Sequence, residues 1–152
     1  MVKIPAPMSR LLKEIAVAYG ASVATALLRR LSNPENAEQA RHIADRLADA
    51  ARSRTAEGRV RSTLEVLRAQ LAMVEVRDED DRIAIESWRR RMHALDATLD
   101  LISKGYHGRE RRHQIRRLQV QTDALLAEFL EREQNIMNGE TAADPGQAPE
   151  QA

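Results

Sequence analysis

The chain has 152 residues, which suits one domain, and its 43% apolar and 31% charged composition is too apolar for general disorder. The absence of cysteine excludes disulfide bonds, thiolate metal sites and thiol catalysis. The net charge is only +1, but residues 1–32 carry five Lys or Arg residues against a single Glu. The distribution of charge is therefore more informative than its total.

The first predicted helix follows a segment, residues 1–8, that contains Pro5 and Pro7 and is expected to be extended. Ser9 is a suitable N-cap, and the helix is predicted to continue to about Leu31. Its apolar face carries large side chains at helical spacing, among them Leu12, Ile15, Tyr19, Val23 and Leu27. We expect this stripe to occupy a partner's groove or a self-association contact.

Part of the same helix, residues 14–31, contains a second pattern. Its elements are Ile15-Ala16, Gly20-Ala21-Ser22 and Thr25. This segment resembles the first helix, the turn and the start of the recognition helix of helix-turn-helix repressors. The resemblance implies that Ser22, Val23 and Thr25 face the major groove of DNA. Arg29 departs from the family pattern, which needs an inward apolar residue there, so a single helix or a helix pair packed on the bundle is the alternative.

Residues 34–77 are predicted to be helical, either as one kinked helix or as two. Asn33-Pro34-Glu35 favours a helix start, because proline suits the first helical position and an acid complements the positive helix end. The apolar spacing slips near Gly58. A glycine inside a helix costs only about 1 kcal/mol relative to alanine, so it leaves both alternatives open.

The last two predicted helices have the clearest apolar period. Residues of the fourth helix at 3-4 spacing are Ile85, Trp88, Met92, Leu95, Leu99, Ile102 and Tyr106. Gly105 suits a left-handed C-terminal residue. The fifth helix, from about Arg109, repeats the pattern. This period predicts an all-α fold, an elongated antiparallel bundle of four to five helices with coiled-coil-like packing over residues 9–138, followed by a disordered tail at 139–152.

The two ends of the fourth helix are predicted to differ in charge. Residues 78–81, here called the acidic tip, are Asp-Glu-Asp-Asp and match the positive helix start. Residues 104–117, here called the basic tip, carry six cations: Lys104, Arg109, Arg111, Arg112, Arg116 and Arg117. Arginine at the start of a helix opposes the helix dipole, so stability alone does not favour it. The basic tip is therefore a candidate site for an anionic partner, and a solvated charged surface is the alternative.

Catalytic or metal chemistry has little support in the sequence. The four histidines are scattered, and Glu110 with His113 supplies a single copy of a spacing that di-metal bundles need twice. No phosphate-binding glycine loop or nucleophile elbow occurs. We expect no enzymatic activity, no cofactor and no metal.

These observations predict a non-enzymatic helical interaction or adaptor protein, or a self-assembling homo-oligomer, that acts through protein–protein contacts in the cytoplasm. The alternative is a nucleic-acid-binding accessory or regulatory protein that uses residues 14–31, residues 104–117 or both. The longest uncharged run, Ile15 to Leu28, is shorter than the ~20 residues that span a bilayer, so no transmembrane segment is expected. Peripheral membrane contact is disfavoured by Glu14 and the weak polar face of the first helix.

Overall fold

A computed structural model describes the backbone of residues 6–142 and the side chains of residues 7–132. Within this range the chain forms six helices and no strand, which confirms the all-α class. The helices are α1 (Ala6–Tyr19), α2 (Ala21–Leu31), α3 (Ala37–Ala51), α4 (Ala56–Met73), α5 (Glu79–Gly105) and α6 (Gly108–Ala142). The expected number was four to five.

The additional helix comes from a break at Gly20, which divides the predicted first helix into α1 and α2. Gly20 has φ 96° and ψ 167°, a backbone region that is essentially restricted to glycine. The start of the fold also differs, because α1 begins at Ala6 and includes Pro7, in place of the predicted extended segment up to residue 8. Proline is tolerated in a first turn, where its missing N–H has no helical partner. Residues 1–5 lie outside the described range.

Residues 34–77 form two helices, α3 and α4. The Thr55 hydroxyl caps α4 by accepting a 3.0 Å hydrogen bond from the Gly58 N–H. A Cβ at position 58 would lie 2.5 Å from the Ser53 hydroxyl oxygen, so glycine permits this close approach. The phase slip in the sequence therefore marks a real break with a tight turn.

The N-terminus of α5 is capped by the acidic tip. The Asp78 side chain accepts from the Asp81 N–H at 2.8 Å, and the Asp81 carboxylate accepts from the Arg77 N–H at 3.2 Å. At the other end of the helix, the prediction that Gly105 has a left-handed conformation is wrong. The positive φ, 60°, belongs to Gly108, where α6 begins.

Neighbouring long helices run in opposite directions, as the order of their polar contacts shows. In successive contacts between α4 and α5, the residue number increases along α4 and decreases along α5. The same holds for α5 and α6. The pairs are Arg61–Asp100 at 3.7 Å, Arg68–Asp96 at 3.0 Å, Trp88–Glu128 at 3.4 Å and Arg132–Asp80 at 3.5 Å.

One hydrophobic core joins residues from all six helices. Trp88 packs edge-on against Phe129, with ring centroids 5.2 Å apart, and both are buried. The thin second stripe of the sequence corresponds to α3, whose buried side chains are mainly alanine together with Ile43 and Leu47. Between residues 6 and 142, no helix combines the length and the apolar character that a membrane span requires.

The C-terminal helix is longer than predicted. α6 continues to Ala142, four residues beyond the expected boundary at 138, and includes Gly139. An interior glycine weakens a helix by only about 1 kcal/mol, which the surrounding helical residues offset. The rest of the predicted disordered tail, residues 143–152, lies outside the described range.

Candidate functional site

The basic tip lies where the end of α5 meets the start of α6. Lys104 occupies the last turn of α5, and the five arginines follow within the first ten residues of α6. Glu110 is the acidic residue of the first turn of α6, and it accepts a 2.9 Å hydrogen bond from the Gln114 amide. Glu110, the acidic residue within the basic tip, is therefore hydrogen-bonded to Gln114 and forms no ion pair with the arginines beside it among residues 7–132.

Arg111 differs from the other cations of the basic tip because it is partly buried and forms an ion pair within the molecule. Its guanidinium donates to the Glu57 carboxylate at the start of α4. Glu57 also accepts a 2.5 Å hydrogen bond from the Ser103 hydroxyl of α5 and lies 3.6 Å from Arg61. The Ser103 hydrogen bond, followed by the contacts with Arg111, holds the pKa of Glu57 below its ordinary value. The Glu57 carboxylate thus joins α4 to both α5 and α6.

The remaining cations of the basic tip point to solvent. Within residues 7–132, no ion pair or side-chain hydrogen bond engages them. They are Lys104, Arg109, Arg112, Arg116 and Arg117. Arg109 and Arg112 lie in the first turns of α6, where the positive end of the helix dipole repels them, and Arg112 and Arg116 repel each other at a spacing of four residues. This surface favours a negatively charged group supplied from outside the described part of the chain.

A cleft of about 440 Å³ opens beside these arginines. Its lining includes Arg112 and Arg116 of α6 together with Thr55 and Ala56 at the start of α4. Ile115 contributes an apolar surface to the cleft. Glu57 also lines the cleft, but its carboxylate is paired with Arg111, so Arg112 and Arg116 remain for a side chain or short segment that is acidic and partly apolar.

The predicted groove-binding stripe of the first helix is placed inside the protein. Ile15, Val23 and Leu27 are fully buried and Tyr19 is nearly so, while Leu12 is partly buried against the same core. These side chains are covered by other helices of the same chain. The structure therefore does not present the stripe as a partner groove.

The helix is interrupted at Gly20, where the helix-turn-helix resemblance expects a turn. The side chains that the resemblance directs toward DNA are not all exposed. Val23, which the resemblance directs toward the major groove, is fully buried. Arg29, whose position should be inward and apolar, is exposed, whereas Arg30 is buried. Ser22 and Thr25 are exposed. The rotation of α2 about its axis thus differs from that of a recognition helix.

A buried polar cluster that sequence reasoning missed joins α1, α4 and α6. The Arg59 guanidinium donates to the Ala18 carbonyl at 2.6 Å, lies 5.3 Å from the centre of the Tyr19 ring and is 3.8 Å from the Asp123 carboxylate. Tyr19 and the Thr63 hydroxyl are 2.9 Å apart. Burial raises the pKa of Tyr19, and burial also raises the pKa of Asp123 to about 6 although Arg59 lowers it. No pattern in the sequence distinguishes Arg59 and Asp123 from charged residues at the surface.

The molecule also exposes large aliphatic side chains near the acidic tip. Met73 at the end of α4, Val76 in the connector and Ile83 in the first turns of α5 are 64%, 57% and 56% exposed. All three fall outside the 3-4 apolar spacing of the neighbouring helices, which is the sequence signal that would have identified them.

Metal ligation has no geometric basis in the described residues. Residues 7–132 contain no group of three or more His, Asp or Glu side chains arranged to hold a metal ion. His107 and His113, the histidines of the basic tip, are exposed. The site is therefore characterised by its cationic surface and cleft.

Comparison of the chain with protein-family profiles, with curated proteins and with solved structures finds no match.

Proposed function

We propose that the protein is a non-enzymatic helical interaction protein that binds an acidic segment of a partner protein through the basic tip. The observation that carries this proposal is the set of exposed cations at the start of α6 that form no ion pair with any side chain of residues 7–132. The positions of Arg109 and Arg112 cost stability, because the start of the helix dipole and the neighbouring arginines both repel them. A bound carboxylate relieves that repulsion.

The chemistry of the cleft supports a protein partner. Arginine forms bidentate, planar contacts with carboxylates, and two arginines on one wall can engage neighbouring acidic side chains. Ile115 and Ala56 offer apolar surface to an adjacent aliphatic side chain of the same segment. An acidic, partly apolar peptide uses both kinds of surface.

The remaining parts of the proposal concern the scaffold. An elongated antiparallel bundle with coiled-coil-like packing would hold the basic tip rigidly at one end, and the opposed helix directions support it. A cytoplasmic location and a homo-oligomeric state belong to the same proposal. The buried apolar stripe of α1 and α2 leaves the basic tip as the principal contact region.

Nucleic acid is the alternative partner, because six cations within fourteen residues also attract phosphates. Two observations weigh against it. The net charge of +1 lacks the strong basic excess that is common in nucleic-acid-binding domains. Burial of Val23 also removes one of the three side chains that the helix-turn-helix resemblance directs toward DNA.

Fluorescence anisotropy can distinguish these partners. The probes are a labelled amphipathic peptide of Glu, Asp and Leu residues and a labelled DNA duplex, each titrated at about 50 and about 200 mM salt. Arg112→Glu/Arg116→Glu reverses two charges of the cleft, and Arg41→Glu/Arg89→Glu makes the same charge change at exposed positions elsewhere.

The proposal expects the peptide to bind the unmodified protein and the control variant, and to bind the cleft variant at least about tenfold more weakly. Equal binding of the peptide by both variants, or no peptide binding at low salt, would refute it. Duplex binding that is strong at low salt and lost in the cleft variant would instead establish the nucleic-acid alternative.

A further inference from the structure

The acidic tip and the basic tip have complementary surfaces on the same chain. Asp80 of the acidic tip and the nearby Glu75 are exposed and have no ion-pair partner among residues 7–132, whereas Glu79 pairs with Arg82. The three exposed aliphatic side chains described above, Met73, Val76 and Ile83, lie among these acids. This end of the molecule is therefore both acidic and apolar, which is the character that the basic cleft favours.

The basic tip carries apolar surface of its own. Leu101 and Tyr106, at the end of α5, are 70% and 40% exposed. They lie at the same end of the molecule as the basic tip, outside the residues that line the cleft. Each end of the molecule thus offers the charge that the other lacks, and each also offers exposed hydrophobic groups.

The two ends cannot meet within one molecule. They lie at opposite ends of α5, a continuous helix of 27 residues. At 1.5 Å per residue this helix is about 40 Å long. A contact between the two surfaces must therefore join two copies of the chain.

We propose that the partner of the basic tip is a second copy of this chain, docked head to tail through its α4–α5 connector and acidic tip. This inference rests on the proposed function and names its partner. Such a contact uses different patches on the two copies, so it repeats and forms either a closed ring or an open filament. Charge complementarity sets the direction of docking, and the aliphatic side chains are removed from water at the contact.

A charge-swap experiment tests the direction of docking. One variant, Glu75→Arg/Asp80→Arg, makes the acidic end basic. The other is the cleft variant, Arg112→Glu/Arg116→Glu, which places two acids beside the cleft and lowers the charge of residues 104–117 from +5 to +1. Sedimentation velocity over a range of concentrations measures the association of each variant alone, of the two mixed in equal amounts, and of the unmodified protein. Circular dichroism confirms that each variant keeps its helical content.

The unmodified protein is expected to associate, and each variant alone to associate at least about tenfold more weakly because like charges meet. The mixture is expected to recover association, because the unchanged basic tip of one variant can dock on the unchanged acidic tip of the other. A monomeric unmodified protein at every concentration would overturn the proposal. Association of the unmodified protein that the mixture fails to recover would overturn it as well.

Cysteine cross-linking provides a second test that tolerates a poorly folding charge variant. The chain has no cysteine, so Asp80→Cys and Arg112→Cys introduce single thiols at exposed positions. Mixed under mild oxidation, the two proteins should form the 80–112 disulfide faster than either forms its own symmetric disulfide. Equal rates for the mixed and symmetric products would contradict head-to-tail docking. If self-association fails while the acidic peptide still binds, the proposed function stands and only the identity of the partner is wrong.

Discussion

Arg59 and Asp123 lie 3.8 Å apart in the interior, yet burial raises the pKa of the Asp123 carboxyl to about 6. The Arg59 guanidinium does not serve Asp123 alone, because it also donates to the Ala18 carbonyl at the end of α1 and stacks on the Tyr19 ring. Removal of the carboxylate from water therefore costs more free energy than its attraction to Arg59 returns.

Asp123→Asn should stabilise the protein at neutral pH. The folded state holds the Asp123 proton up to a pKa of about 6, above its ordinary value of 3.8. Folding is therefore favoured at low pH, and this contribution is lost as the pH rises from about 4 to about 6. We expect Asp123→Asn to raise the free energy of unfolding by about 1–3 kcal/mol at pH 7 and to remove this part of its pH dependence, as measured by urea denaturation.

Asp45→Asn is the matched control, because Asp45 is exposed on α3 and has no ion pair among the described residues. It should change the stability by less than about 0.5 kcal/mol. A destabilisation by Asp123→Asn at pH 7 would show that the Arg59–Asp123 attraction exceeds the cost of burial.

The Tyr19–Thr63 hydrogen bond should contribute measurably to stability. The Thr63 hydroxyl donates to the Arg59 carbonyl at 2.8 Å, so the Tyr19 hydroxyl donates to Thr63. Tyr19→Phe leaves the buried Thr63 oxygen without that donor and should cost about 1 kcal/mol. A double-mutant cycle with Thr63→Val measures the coupling, and additive effects of the two substitutions would mean that the hydrogen bond contributes nothing.

Gly20→Ala should destabilise the fold through its backbone alone. No heavy atom lies within 4 Å of a Cβ at this position, but φ is +96°. We expect a loss of about 1–3 kcal/mol in the free energy of unfolding. Gly105→Ala is the control, since it also meets no atom within 4 Å and lies in a helix without a positive φ. It should be neutral or stabilising by up to about 1 kcal/mol, and equal effects at the two positions would be inconsistent with strain at Gly20.

Glu57→Gln should weaken the junction of α4, α5 and α6. Contacts with Ser103 and Arg111 lower the pKa of Glu57, so its contribution is present above the ordinary carboxyl pKa and is lost as the pH falls through the folded value. We expect a cost of about 1 kcal/mol at pH 7 that shrinks toward pH 3. Glu65→Gln, an exposed change on the same helix, should have little effect; a cost that is independent of pH would exclude the ionic explanation.

The helices of the second half of the chain could be predicted because their apolar residues recur at a spacing of three and four. Trp88, Met92 and Leu99 were assigned to the interior on this basis, and all three are buried. Leu95, assigned in the same way, is only partly buried. A period in the sequence predicts which face of a helix is apolar but not how completely its neighbours cover that face.

The candidate site was predicted in part. The clustering of six cations in residues 104–117 is a property of the sequence, and so is their opposition to the dipole of α6. The ion pair that removes Arg111 from the exposed set depends on Glu57, which lies 54 residues away. Sequence reasoning has no means of pairing charges at that separation.

By itself, the sequence determined that this protein is helical and that its charge is concentrated at the basic tip, because helical periodicity and local charge are properties of neighbouring residues. Tertiary structure decided which apolar stripe was covered, since Ile15 and Val23 are buried by helices from distant parts of the chain. It also decided which charges were paired and that Asp123 is largely shielded from water. These outcomes depend on long-range packing, and the free energies of burial and ion pairing that govern them arise only when distant helices meet.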